Sequence, residues 1–324
     1  MRRATLARAG RALLGGALSM TSMTSMTSMT SSLGCHPAAA AACSTCGQYE
    51  AEIAAWRAER IAALRAGQGW LALAGLFWLA EGEHSLGAGP GVDIEFPAGA
   101  PAAIGSVRRV GEVVSLSVAP GVDARLDGAA ITEVVLRSDA DPQRPPDRVH
   151  IGERFTFLIV ARGDRLGLRL YDSEAPGRRT FAGIPAFPVA PEWRIQARFE
   201  AYAQPRTIEH PTVLGTVQPA EVPGVAVFSI AGQEHRLTPI RESGPDGELL
   251  LFVFRDLTSG SGTYAGGRFL LAAPARDGYV ELDFNRAHNP PCAFTPYATC
   301  PVPLAENRLP VRVTAGEQLP ADHS

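Results

Sequence analysis

The 324-residue chain contains no lysine: all 30 of its basic residues are arginine. It has no G-x-S-x-G, so the nucleophile elbow of an α/β-hydrolase has no support. H-E-x-x-H is also missing, which removes the helix-borne zinc-hydrolase motif. The glycine-rich stretch Ser259–Gly267 lacks a G-K-[ST] ending and misses G-x-G-x-x-G by one residue, so neither phosphate-cradling loop is present. Beyond the N-terminal region no stretch reaches the ~18 apolar residues that span a bilayer. A formal net charge of -3 provides no field that would draw nucleic acid. With lysine gone, cationic work falls to guanidinium forks, which suit carboxylate and phosphate. Codon bias in an Ala-, Arg- and Gly-rich genome explains the same bias more plainly.

An apolar fraction of 46% with 19% charged residues describes a globular chain with a real core. Arg2, Arg3, Arg8 and Arg11 precede the apolar run Ala12–Met20, the arrangement of an export signal. The TSM repeat that follows is low in complexity and has no fold of its own. Ser32-Leu33-Gly34-Cys35 approximates a lipobox with its leucine displaced by one position, and Ala38–Ala42 offers a rival processing site. The expected organisation is a signal peptide over 1–34, a tether over 35–47 and a single mainly-β domain over 48–324. The corresponding place is the cell envelope or periplasm, with a lipid anchor at Cys35.

Setting Cys35 aside leaves two local pairs, Cys43/Cys46 and Cys292/Cys300. A disulfide between Cys292 and Cys300 would close a short loop and contribute about 2–3 kcal/mol. The alternative is a four-thiolate zinc site, for which the C-x-x-C half is suitable and the C-x7-C half fits poorly.

Residues Gln48–Ala66 have Ile53, Trp56, Ile61 and Leu64 near helical spacing. The uncharged run Trp70–Leu79 is a buried core segment whose type periodicity leaves open. Glu81, Glu83 and His84 read as a solvated turn. From Val92 the pattern is β: Glu112–Val118, Val149–Val160, a hairpin of Phe155–Ala161 with Leu166–Tyr171, the alternating Trp193–Ala201, then Val225–Ile230, Arg236–Ile240, Glu248–Phe254, Arg268–Ala272 and Val280–Phe284. Many short strands with close turns predict an antiparallel sandwich or barrel-like sheet carrying an N-terminal helix.

Alternation places Glu281, Asp283 and Asn285 on the polar face of their strand, opposite Val280, Leu282 and Phe284. Arg169 occupies the corresponding face of the hairpin, so Arg169 and Asp283 are candidates to hold one polar ligand if both faces line one cavity. An ordinary wet sheet face accounts for the same pattern. Arg255 and Asp256 leave an all-apolar strand as a charged pair that requires partners. His288 is a candidate base or ligand.

The segments GWLALAGLFWLAEGEHSLG, GLRLYD, EWRIQARFEAY, LFVFRDLTSGSGTYAGGRFL and DFNRAHNPPCAFTPYATCPVPLAENRLPVRVTAGE resemble the bacterial and archaeal family catalogued as domain of unknown function 1684. The likeness runs from about Trp56 to Glu317. It implies a signature of Arg255, Asp256, Ser259, Tyr264, Arg268, Asp283, Asn285, Asn289, Cys292, Tyr297, Cys300, Glu306 and Asn307, and brings no activity or cofactor. The family pattern has Asn at His84 and Tyr at His288, which lowers both histidines as shared catalytic groups.

The leading functional expectation is an envelope protein that binds a small polar or anionic ligand. Arg169, Arg255, Asp256, Ser259, Tyr264, Arg268, Asn285 and Asn289 are the candidate ligand-binding residues. A hydrolase with Asp283 or Glu306 as general base is the alternative, and a structural or interaction lipoprotein is the third. No metal or nucleic-acid partner is expected, and the cofactor is unknown.

Overall fold

Turn residues divide the chain into short alternating segments, and their backbone groups find partners by antiparallel pairing. A computed structural model describes residues 37–141, 143–244 and 247–320, with side chains from residue 47 onward. The leader and Cys35 lie outside the described residues, as do the side chains of Cys43 and Cys46.

The protein is mainly β, with several antiparallel sheets, one N-terminal helix and no closed barrel among the described residues. In the first half, a six-stranded sheet includes Leu73–Trp78, Arg165–Asp172, Phe155–Arg162 and Val149–Ile151 as neighbours. A five-stranded sheet includes Gly82–Gly87, Gly105–Val110, Val113–Val118 and Glu133–Leu136. Leu86, Phe96, Val107, Leu116, Phe157, Ile159, Leu168 and Leu170 from the two sheets fill one core. In the second half, Gln233–Leu237, Val217–Ile230, Arg194–Pro211 and Tyr279–Asp283 form a four-stranded sheet, and Ile240–Gly244, Gly247–Phe254 and Arg268–Ala272 a three-stranded one. Phe228, Leu250, Phe252, Phe254, Leu282 and Phe284 make their shared core.

The helix spans Pro37–Arg65, so it begins inside the stretch read as a tether. Tyr49, Ile53 and Leu64 are buried and Trp56, Arg57 and Arg60 half-buried. Those intervals of three and four residues define one helical face. The chain then doubles back at Gly69, where a Cβ would stand 2.3 Å from the carbonyl oxygen of Ala63. Only glycine permits that approach. No helix among the described residues is long and apolar enough to cross a membrane.

Several local expectations change. The run Trp70–Leu79 resolves into a 3-10 turn, Trp70–Ala72, and a strand, Leu73–Trp78. Glu83 and His84 belong to a strand and not to a turn, with Ser106 Oγ donating to Glu83 at 2.6 Å. Val149–Val160 is two strands, because Gly152 turns the backbone at φ 56. Tyr279–Asp283 stops one residue early, since Asp283 Oδ1 accepts from the Asn285 N–H and caps the 3-10 turn Phe284–Arg286.

Candidate functional site

The end of strand Tyr279–Asp283 delivers Asp283 against the helix. Asp283 Oδ1 accepts from Tyr49 Oη at 2.7 Å and from the Asn285 N–H at 3.1 Å. Its Oδ2 stands 3.3 Å from Arg286 Nε. Asn285 Nδ2 donates to Tyr49 Oη at 3.0 Å and to the Ala190 carbonyl at 2.8 Å, while its Oδ1 accepts from the Ala190 N–H. Burial, followed by the adjacent Asp283, raises the Tyr49 phenol well above its ordinary value, so it stays a neutral donor. Arg194 lies 5.3 Å from the Tyr49 ring centre and pairs with Glu281 at 2.9 Å.

Two cavities meet at this point. One, of about 500 Å³, is lined by Gln196, Arg276, Tyr279, Glu281, Asp283 and Arg286, with Leu271 and Pro274 among its apolar contacts. The other, of about 590 Å³, lies between helix residues Trp56, Glu59, Arg60 and Ala63 and the residues Leu271, Arg286 and His288. Leu271 and Arg286 line both, so the two adjoin along those side chains and flank one groove. The Arg286 side chain is 39% exposed, and Arg276 has no side-chain partner among the described residues.

At the inner end of the groove Arg60 pairs with Glu317 and donates to the Asn289 carbonyl at 2.7 Å. Glu317 also accepts from the Asn289 N–H at 2.7 Å. His288 Nδ1 donates to the Arg286 carbonyl at 3.1 Å, which leaves Nε2 as the acceptor of a neutral ring. Burial, then the positive charge of Arg60, pushes His288 down to about 3.

The remaining candidate residues lie in four other places, none of which lines the groove. Arg268 is 0% exposed and donates to the carbonyls of Val313 at 3.0 Å and Ala315, with Asp256 Oδ1 at 3.3 Å. Asp256 in turn accepts from Thr258, from Ser259 Oγ at 3.3 Å and from the Val313 N–H at 2.7 Å. These groups fasten the C-terminal tail. Arg255 joins the tail by its backbone, donating to the Asn307 carbonyl and accepting from Leu309, and its guanidinium has no partner among the described residues.

Arg169 is buried at 6% exposure, 5.6 Å from the Trp70 ring centre, with Thr299 Oγ1 at 3.4 Å. The pairing expected between Arg169 and Asp283 does not occur. Every residue of strand Arg165–Asp172 after the first is buried, so the hairpin has no wet face to contribute.

Cys292 and Cys300 are free thiols in this structure, which corrects the expected disulfide. They are nevertheless neighbours, the Cys292 N–H donating to Cys300 Sγ at 3.2 Å, and Tyr264 Oη donating to the Cys292 carbonyl at 3.3 Å. Glu306 is exposed on the 3-10 turn Ala305–Asn307, away from the lining of the groove. No group of three or more His, Cys, Asp or Glu side chains among the described residues converges as a metal site.

Sequence reasoning missed Tyr49, Arg60, Arg286 and Glu317. The available signal was the recurrence of Tyr49, Arg57 and Arg60 on the same helical face as Ile53 and Leu64.

Residues 179–318 match the family described as "Protein of unknown function (DUF1684)". An uncharacterized protein of Haloarcula marismortui, solved by solution NMR, is 30% identical, over 46% of this chain and 83% of that one, with a TM-score of 0.39. Residues 179–318 thus carry the pattern of this family of unknown function. A structure titled Rv0020c_FHA is 17% identical over 30% of this chain and 96% of that one, with a TM-score of 0.21. No curated protein matches the chain.

Proposed function

We propose that the protein binds a small polar ligand carrying a carboxylate or phosphate in the groove between helix residues 56–63 and the Leu271–Arg286 side of the sheet. The observation that carries this reading is Arg286, shared by both cavities and only partly neutralised by Asp283 at 3.3 Å. A guanidinium offers five donors, and the single contact to Asp283 leaves most of them for a ligand. Arg276 adds a second uncommitted fork, and Trp56, Ala63 and Leu271 provide an apolar wall. Tyr49, Asn285 and Arg194 then act as positioning groups for Asp283.

Thermal unfolding of the full chain with citrate or inorganic phosphate tests the reading. A ligand at 100 times its Kd stabilises the fold by about 2.7 kcal/mol, which raises Tm. Arg286→Ala combined with Arg276→Ala is expected to abolish the rise, each lost charge-assisted contact costing about 1.5–3 kcal/mol of binding. A rise of equal size in the double variant places binding elsewhere, and no rise with any small carboxylate or phosphate removes the reading.

The envelope location belongs to the same proposal. It rests on the arginine-rich, apolar start of the chain and on Cys35. Cys35→Ala is expected to move the protein from the membrane fraction to the soluble fraction. Retention of the variant in washed membranes would contradict lipidation at that cysteine.

A further inference from the structure

Cys292 and Cys300, eight positions apart in sequence, lie together: the backbone N–H of Cys292 donates to Cys300 Sγ at 3.2 Å, and the two thiols hydrogen-bond. One is half-buried and the other is buried. Beside the buried one lies a guanidinium, that of Arg169, which pairs with no carboxylate among the described residues and whose Nε has no partner. An uncompensated buried cation is costly unless a negative charge forms next to it.

We propose that Cys292 and Cys300 are a reactive dithiol that reduces low-molecular-weight disulfides, with Cys292 the attacking thiol, Cys300 the resolving one, and Arg169 the positioning charge for the resolving step. The chemistry balances without a cofactor. The Cys292 thiolate attacks one sulfur of R–S–S–R, forming a Cys292–S–S–R bond and releasing RS⁻. Cys300 then loses its proton and attacks Cys292 Sγ, forming the Cys292–Cys300 bond and releasing the second RS⁻. Two protons end on the two released thiols, so the chain loses two hydrogens and the small disulfide gains them.

The electrostatics agree with this division of labour. Hydrogen bonding from Cys300 and then from Tyr264 lowers the Cys292 thiol below its ordinary value, against opposing burial. The same contact and burial raise Cys300, so its proton stays in place until attack. Arg169 is the positive group facing Cys300, and the Arg162–Asp139 pair at 2.9 Å stands behind it as a neutralised unit. Arg169 is thus placed to favour the Cys300 thiolate when it forms.

The test uses full-length reduced protein and oxidised glutathione, read by peptide mapping so that Cys292 and Cys300 are scored separately from the other cysteines. Wild type is expected to yield a Cys292–Cys300 linked peptide. Cys300→Ser is expected to stop at a glutathione adduct on Cys292, and Cys292→Ser to react at Cys300 at least tenfold more slowly. The first step should rise with pH through a midpoint below that of an ordinary thiol and then level off. Tyr264→Phe should move that midpoint upward, and Arg169→Met should lengthen the life of the mixed disulfide. Limited alkylation of wild type at neutral pH provides a readout that needs no variant, with Cys292 modified before Cys300. Equal labelling of the two, no adduct on Cys292 in Cys300→Ser, or an oxidised chain without the Cys292–Cys300 link would each overturn the proposal.

Discussion

Replacing Asp256 by alanine is expected to lower the free energy of unfolding by about 3–5 kcal/mol, measured by urea denaturation at neutral pH. The reason is the environment of Arg268. Its guanidinium has no contact with water, and its other polar contacts are carbonyl oxygens of residues 313–317, which accept hydrogen bonds and do not neutralise charge. Asp256 is the one carboxylate among the described residues that pairs with it, Glu317 acting only through its more distant charge. Burial pulls the Arg268 guanidinium below its ordinary value, yet an arginine side chain stays charged. Without Asp256 that charge is stranded, and the Val313 N–H and Thr258 hydroxyl lose their acceptor as well. Arg268→Met removes the charge and should cost less than the sum of separate losses when combined with Asp256→Ala, because the double variant leaves no ion unpaired. If Asp256→Ala costs under about 1 kcal/mol, the tail is held by something other than this pair.

The same pair shows where the sequence was readable and where it was not. Asp256 and Arg268 stand twelve positions apart, and the requirement that a charge leaving an apolar strand must find a partner was visible before any coordinates. What no pattern in the sequence disclosed was the direction the two side chains face. They turn inward to carbonyls of the tail, because Leu309, Val313 and Ala315 pack into the second core and bring the tail's backbone with them. Strand periodicity was legible for the hairpin at Gly163, where alternation and turn chemistry agree. It misled at Arg169, because the strand is buried on both faces and its polar positions are as dry as its apolar ones. The helix was legible as a helix, but its role was not. Tyr49 and Arg60 meet Asp283 and Glu317 more than two hundred residues away, and a contact of that separation leaves no local trace.

His288 carries the second large effect, and acid reveals it. Its ring is 8% exposed, donates from Nδ1 to the Arg286 carbonyl, and lies about 6 Å from the rings of Trp56 and Phe269. In the folded protein it takes a proton only near pH 3, whereas in the unfolded chain an ordinary histidine does so near 6.5. Between those values the unfolded state holds the extra proton, so stability rises with pH across the window and falls as acid is added. The limiting slope is about 1.4 kcal/mol per pH unit, so wild type should lose roughly 3 kcal/mol between pH 7 and pH 4 through this residue alone. Below pH 3 both states are protonated and the loss stops growing. His288→Tyr keeps an aromatic side chain and removes the titration. His288→Gln does so with a smaller side chain. Urea unfolding at pH 7 and pH 4 should show the wild type losing that much more than either variant. Parallel losses in all three would mean that water reaches the ring and that helix residues Trp56 and Arg60 do not seal it. The expected gap instead makes His288 a neutral acceptor at the inner end of the groove throughout the physiological range, its ring kept uncharged by burial first and then by the same Arg60 that holds Glu317 in place.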